Sequence, residues 1–129
     1  MIVLDASAAF ELLLRTASGE EISARLRGTP LCHAPHLLDV EVASSLRRGV
    51  ASGMLSPQRA RDALDDLQAM RIVRHPHFPF LDRVWELRDD FSAYDACYLA
   101  LTEALDATLL TCDAALRSAR LSRGEVALV

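Results

Sequence analysis

The chain has 129 residues, 51% of them hydrophobic and 25% charged, with a formal net charge of −4: enough apolar material for one domain spanning 1–129, and too acidic a balance for generic nucleic-acid binding. All fourteen basic residues are arginine, which excludes chemistry that needs a lysine, such as Walker A phosphate binding or Schiff-base formation. Three cysteines without CxxC spacing read as free thiols of a cytoplasmic protein, no apolar run reaches the length of a membrane span, and Asp5 and Glu11 break up what would otherwise resemble a secretory leader.

In chain order, residues 2–4 read as a short buried strand. A helix follows from Ser7 to Leu14, with Ala8, Ala9, Leu12 and Leu13 at helical spacing. Ser18-Gly19-Glu20-Glu21 has a capping-box pattern that opens a second helix stopping at Gly28. Leu31 to His33 is a weak strand, and Pro35 starts a longer helix running to about Gly49. Ser56-Pro57 pairs a cap with a first-turn proline and opens a helix through Leu67. Arg71 to Arg74 reads as a strand and 75–79 as a loop. Helices to about Arg88 and from Ala93 to Leu105 come next, then a strand at 108–111, a short helix from Ala114 and an edge strand at Val126–Val129. Strands alternating with helices or helix pairs predict a three-layer α/β/α domain with a mostly parallel sheet of about five strands.

Four acids stand at telling places in this plan. Asp5 and Asp113 each close an apolar strand, Asp95 lies in the first turn of a helix, and Glu41 interrupts an apolar helical face. Ordinary roles exist for each: Asp5 and Asp113 as helix caps, Asp95 as the acidic member of a Ser92-x-x-Asp95 cap, and Glu41 as a partner of Arg47 or Arg48. Jointly they point elsewhere. In parallel α/β folds, strand C-termini and helix N-termini face one crevice, where ligands bind. Carboxylates gathered there call for a hard divalent cation, Mg²⁺ or Mn²⁺. Ser7 and Thr111 lie two residues from the strand-end acids, where hydroxyls can orient a metal ligand or its water.

Four segments, in this order, resemble the motifs of PIN-domain ribonucleases, and more narrowly the VapC toxins of toxin–antitoxin pairs. They are Met1-Ile2-Val3-Leu4-Asp5-Ala6-Ser7-Ala8, Glu41-Val42-Ala43-Ser44-Ser45-Leu46-Arg47-Arg48, Tyr94-Asp95-Ala96-Cys97-Tyr98-Leu99-Ala100-Leu101 and Leu110-Thr111-Cys112-Asp113. The resemblance implies an acidic quartet of Asp5, Glu41, Asp95 and Asp113, with Asp5 and Asp95 holding the metal most directly. It also implies hydrolysis of RNA and a small VapB-like antitoxin as partner. The apolar faces of the first two helices and the 56–67 helix exceed what one small sheet needs to cover it, which suggests a homodimer.

Other residues read more plainly. The histidines at 33, 36, 75 and 77 lack the matching cluster that a zinc site needs. Trp85, with Leu81, Val84 and Leu87, reads as helix core rather than a base-stacking platform; Tyr94, beside Asp95, reads as a packing residue, with contact to a ribose or base as the alternative. Arg15, Arg47 and Arg48 are candidate phosphate contacts, set against an ordinary solvated helix end. A receiver-type phosphoacceptor or a haloacid-dehalogenase-like phosphatase would use a lysine. A Rossmann domain would need a glycine-rich turn. The rival from another class is a catalytically silent PIN-like module that only binds a partner.

Overall fold

The computed structural model describes residues 1–29 and 31–129. Five strands form one parallel sheet: β1 (Ile2–Leu4), β2 (Cys32–Pro35), β3 (Ile72–His75), β4 (Thr108–Thr111) and β5 (Glu125–Leu128). Their order is β3-β2-β1-β4-β5. The strand ending at Asp5 is therefore central, and β4, which leads to Asp113, pairs directly with it through Ile2–Thr108, Val3–Leu109 and Leu4–Leu110. Val3, Leu4, Leu109 and Leu110 are buried, as continuous apolar runs in a sheet covered on both faces should be.

The helices are α1 (Ala6–Leu14), α2 (Ala17–Leu26), α3 (Leu37–Ala51), α4 (Pro57–Ala69), α5 (Leu81–Glu86) and α6 (Ala93–Leu105), with 3₁₀ turns at Phe78–Phe80 and Ala114–Ser118. α1 packs on α2, α3 and α4, whereas α5 packs on α6. The chain steps outward from β1 to β2 to β3, then crosses back to β4. Right-handed crossovers in opposite directions put the two helix groups on opposite faces, giving three layers. β1 and β4 flank the point where the strand order reverses, so the crevice at their C-terminal ends lies at the topological switch point. α6 is the most enclosed helix, buried continuously from Ala96 to Glu103.

Several boundaries differ from the sequence reading. The cap of α2 is Thr16, whose Oγ1 accepts from the Gly19 N–H, so the helix begins at Ala17 and not at the Ser18 capping box. Pro35 ends β2 and does not start a helix: paired with His75 of β3, it needs no ladder donor that proline lacks, and α3 starts at Leu37. α5 ends at Glu86, before Arg88. Trp85 is not core; it is 68% exposed, with the Arg88 guanidinium 4.9 Å from its ring centroid. Tyr94 is likewise 64% exposed rather than packed. Ser56 caps α4 as expected, and α6 and β4 fall where the pattern puts them.

Two polar ties lock the layers. Arg59 on α4 donates to the Leu13 carbonyl at 2.6 Å, filling an orphan acceptor in the last turn of α1. Arg83 on α5 grips buried Glu103 on α6 through both carboxylate oxygens, at 2.8 and 3.0 Å. The Ser122 N–H adds a third bond at 2.8 Å. Burial alone would push Glu103 up from its ordinary value of 4.5; the Arg83 and Ser122 hydrogen bonds outweigh it and hold the group below that value.

Arg83→Met should destabilise the fold by about 2–3 kcal/mol, less than the 3–5 of a fully buried broken pair because Arg83 is partly solvated. Because the folded Glu103 pKa is depressed, this stabilisation is fully present above pH 4.5 and is lost as pH falls through the folded value. Urea melts of both proteins across this range should therefore converge at the acid end. At Gly19, an added Cβ would lie 2.1 Å from the Glu11 carbonyl oxygen. Gly19→Ala should thus force α1 and α2 apart and cost about 1–3 kcal/mol, read from the same melts.

Candidate active site

The crevice is organised around Asp5. β1 delivers this residue to the switch point, and as N-cap of α1 it accepts from the Ala8 N–H at 2.8 Å through Oδ1. Ser7 Oγ donates to the same oxygen at 2.8 Å, and Thr111 Oγ1 donates to Oδ2 at 2.6 Å. The two hydroxyls also accept: Ser7 Oγ from the Cys112 N–H and Thr111 Oγ1 from the Asp113 N–H, each at 2.9 Å. One carboxylate thus ties together the ends of β1 and β4, the start of α1 and the turn that carries Asp113. Asp113 in turn caps the 3₁₀ turn through the Ala115 N–H.

The other two acids arrive on helices. Glu41 sits in the second turn of α3 and accepts a hydrogen bond from the Tyr98 hydroxyl at 3.0 Å, not from Arg47 or Arg48. Tyr98 is three residues after Asp95 on α6, hence on the same helical face. The sequence reading gave Tyr98 no role; that i,i+3 spacing was the available signal. Asp95 lies in the first turn of α6, where its N–H donates to Ser92 Oγ. The caps inferred for Asp5, Ser92 and Asp113 are present, yet capping leaves carboxylate oxygens available: Asp95 Oδ atoms take no part in the Ser92 cap, and Asp113 caps through Oδ1 alone.

Electrostatically the four form one group. The Asp5 carboxyl is pushed up by burial, with Asp113 adding repulsion. Glu41 is pushed up by burial and by repulsion from Asp95 and Asp5, against the Tyr98 hydrogen bond. The Tyr98 hydroxyl is driven up strongly by burial and by the Glu41 charge, so it remains a donor. As the side chains lie, no three Asp, Glu, His or Cys groups among the described residues are close enough to share an ion. The donor set is nonetheless all oxygen, anionic and short of positive charge, the chemistry that a hard divalent cation satisfies.

The remaining candidates separate. Arg48 donates to Ser44 Oγ at 3.1 Å and Ser45 Oγ at 3.0 Å, and shares a hollow with Glu41 and Tyr94. Arg47, the preceding residue, lines a different and largely apolar hollow between α3 and α4. Arg15 is the C-cap of the nine-residue α1, so it sits about 13 Å from the Asp5 end of that helix. His33 Nδ1 and His75 Nε2 meet at 3.0 Å on the neighbouring strands β2 and β3.

Comparison with known proteins places this geometry. The PIN domain family pattern matches residues 2–121. The chain is 42% identical to ribonuclease VapC9 of Mycobacterium tuberculosis over 113 residues, covering 88% of this chain and 86% of that protein. It is 38% identical to ribonuclease VapC12 of the same organism over 129 residues, covering 100% and 99%. Its fold is similar to the crystal structure of VapBC2 from Rickettsia felis bound to a DNA fragment from their promoter, with a TM-score of 0.70 at 14% identity, covering 100% of this chain and 99% of that one. A central strand ending in a buried aspartate, a parallel sheet reversing beside it and sequence kinship along almost the whole chain lead to one conclusion: this chain belongs to the PIN-domain family and, within it, to the VapC ribonucleases.

Proposed function

We propose that the chain, a single domain over residues 1–129, is a metal-dependent endoribonuclease and the toxin of a toxin–antitoxin pair, hydrolysing RNA phosphodiesters and so inhibiting translation and growth. The observation that carries the reading is the hydrogen-bonded Asp5 carboxylate at the switch point, electrostatically coupled to Glu41 and Asp113, with Glu41 coupled in turn to Asp95. Asp5 and Asp95 would hold Mg²⁺ or Mn²⁺ most directly, with Glu41 and Asp113 completing the site. When bound, the ion supplies a water of lowered pKa and positive charge for the phosphoryl group as its negative charge grows. The chain's own groups do the positioning. Ser7 and Thr111 fix both Asp5 oxygens, and Tyr98 holds Glu41 by donating to it. No lysine exists to serve as base, and no histidine is among the four coupled acids.

The partner side follows from an apolar hollow and an exposed apolar stripe. The hollow between α3 and α4 is lined by Ala43, Leu46, Val50, Ala60 and Leu64, suited to an apolar segment of a VapB-like antitoxin. Phe78, Leu81 and Trp85 project from the α5 region, a stripe that favours a homodimer. No helix is long and apolar enough to cross a membrane among the described residues. Sedimentation should show a dimer at micromolar concentration, and a short partner reading frame should lie beside the gene.

Asp5→Asn keeps the shape but removes the charge. It should lower RNA cleavage on the order of 10²–10³-fold, the range for losing one preorganised electrostatic group, while circular dichroism stays that of the wild type. Mn²⁺ or Mg²⁺ should raise the melting temperature of the wild type, worth about 2.7 kcal/mol at a hundred times the dissociation constant, and leave Asp5→Asn unmoved. EDTA should abolish cleavage reversibly. Wild-type cleavage by Asp5→Asn, or cleavage surviving exhaustive chelation, would overturn the mechanism. A folded wild type that binds an antitoxin but never cuts RNA would leave only the silent partner-binding module.

A further inference from the structure

An acidic protein with an acidic centre has to attract a polyanion. Arg48 is placed to do so. It lies two turns beyond Glu41 on α3 and folds back along the helix, with Nη1 donating to Ser44 and Nη2 to Ser45. It forms no ion pair among the described residues, whereas Arg25, Arg61, Arg74, Arg83 and Arg88 each have a carboxylate partner. Of a guanidinium's five N–H donors the two serines engage two, and the rest remain for a ligand.

Arg48 also stands at a divide. Two hollows, of about 320 and 420 Å³, meet along Ser45 and Arg48. Each is large enough for a small-molecule-sized group, for which sites run roughly 300–1,000 Å³. One hollow holds Glu41 and Tyr94; the other holds Ser7, the hydroxyl that supports Asp5, together with Phe10, Glu11 and Met54. Arg48 therefore stands between two hollows, one reaching Glu41 and the other reaching Ser7 beside Asp5. In the first hollow the Tyr94 ring is mostly exposed, one residue before Asp95. An exposed aromatic beside an unpaired guanidinium is the arrangement that grips an unstacked nucleotide: the cation takes the phosphate, and the ring stacks on the base without regard to its identity.

Resting on the ribonuclease reading, we infer that Arg48 and Tyr94 form a single-strand clamp, Arg48 binding a backbone phosphate next to the cleaved one and Tyr94 stacking on an unpaired base. Such a clamp needs an unpaired base, because bases already stacked in a duplex cannot reach the ring. Arg47, one position earlier, turns into the α3–α4 hollow and takes no part.

The test measures binding apart from cleavage. In the Asp5→Asn background, a fluorescein-labelled oligoribonucleotide of mixed sequence is titrated by anisotropy at several salt concentrations, single-stranded and annealed to its complement. Arg48→Gln should weaken single-strand binding and flatten the dependence of log K on log salt by about 0.7, the increment for one phosphate contact on a single strand. Arg48→Lys should keep the slope. Tyr94→Ala should weaken binding by about five- to a hundredfold with the slope unchanged, and Tyr94→Phe should restore it. The duplex should be insensitive to Tyr94→Ala. Arg61→Gln, on the exposed face of α4, should bind like its parent. With Asp5 intact, the two clamp variants should raise KM for cleavage far more than they lower kcat. Affinity and salt slope unchanged in both Arg48→Gln and Tyr94→Ala would overturn the clamp, as would a duplex bound as tightly as the single strand or no measurable single-strand binding. If the wild type fails to cut RNA while binding still depends on Arg48 and Tyr94, the ribonuclease reading falls and the clamp stands.

Discussion

A carboxylate taken out of water must be compensated, and the compensation of Asp5 organises this molecule. The residue is only 4% exposed. Burying such a charge costs several kcal/mol unless hydrogen bonds replace its lost water. Three do: the Ala8 N–H, the Ser7 hydroxyl and the Thr111 hydroxyl. Two come from the first turn of α1 and one from the end of β4, so the bonds that offset the charge also fix junctions. The Ala8 bond starts α1, the Thr111 bond joins β4 to β1, and Ser7 reaches across to the Cys112 backbone. Fold and site thus share one set of bonds.

The same economy lets helix capping coexist here with carboxylate oxygens left free. A cap needs one oxygen directed at the first free N–H groups of a helix. Asp113 uses Oδ1 for this, and the cap of α6 is delegated to Ser92, leaving the Asp95 carboxylate uncommitted. Glu41, within α3, has no capping role and is steadied from a different layer by Tyr98. Asp5, Glu41 and Asp113 are held by backbone N–H groups and neutral hydroxyls, while the arginine ion pairs lie elsewhere, at Arg74–Asp39 and Arg83–Glu103 for instance. Cationic partners close to the acids would compete with a divalent ion; neutral donors orient the carboxylates and leave their charge in place.

The central elements were legible because local and global signals agree there. The apolar runs before Asp5 and Asp113 can only be buried strands, and Ser92 starts α6 with an unambiguous cap, so the acids at their ends could be assigned to one crevice from sequence. Ambiguity arose where a local signal had two solutions. Thr16 and Ser18 can each cap α2, and the choice falls to Thr16 because Gly19 must pass close against the Glu11 carbonyl. Pro35 suits a helix start as well as the end of a strand, and only pairing with His75 decides. Tyr98–Glu41 and Arg83–Glu103–Ser122 are long-range contacts that no periodicity announces. Trp85 misled for another reason: its spacing with Leu81 and Val84 marks an amphipathic turn, but Val84 takes the inward direction and the indole is left outside.

That exposed indole is the only tryptophan in the chain. With solvent on one side and the Arg88 guanidinium over its ring, it has no buried environment to lose. The intrinsic fluorescence of the protein is therefore blind to much of the unfolding of the sheet, since the emission of the folded state already resembles that of hydrated indole. It is instead a built-in reporter for the outer surface of α5: a shift to shorter wavelength would register another body settling on that helix, with no label attached and the core undisturbed.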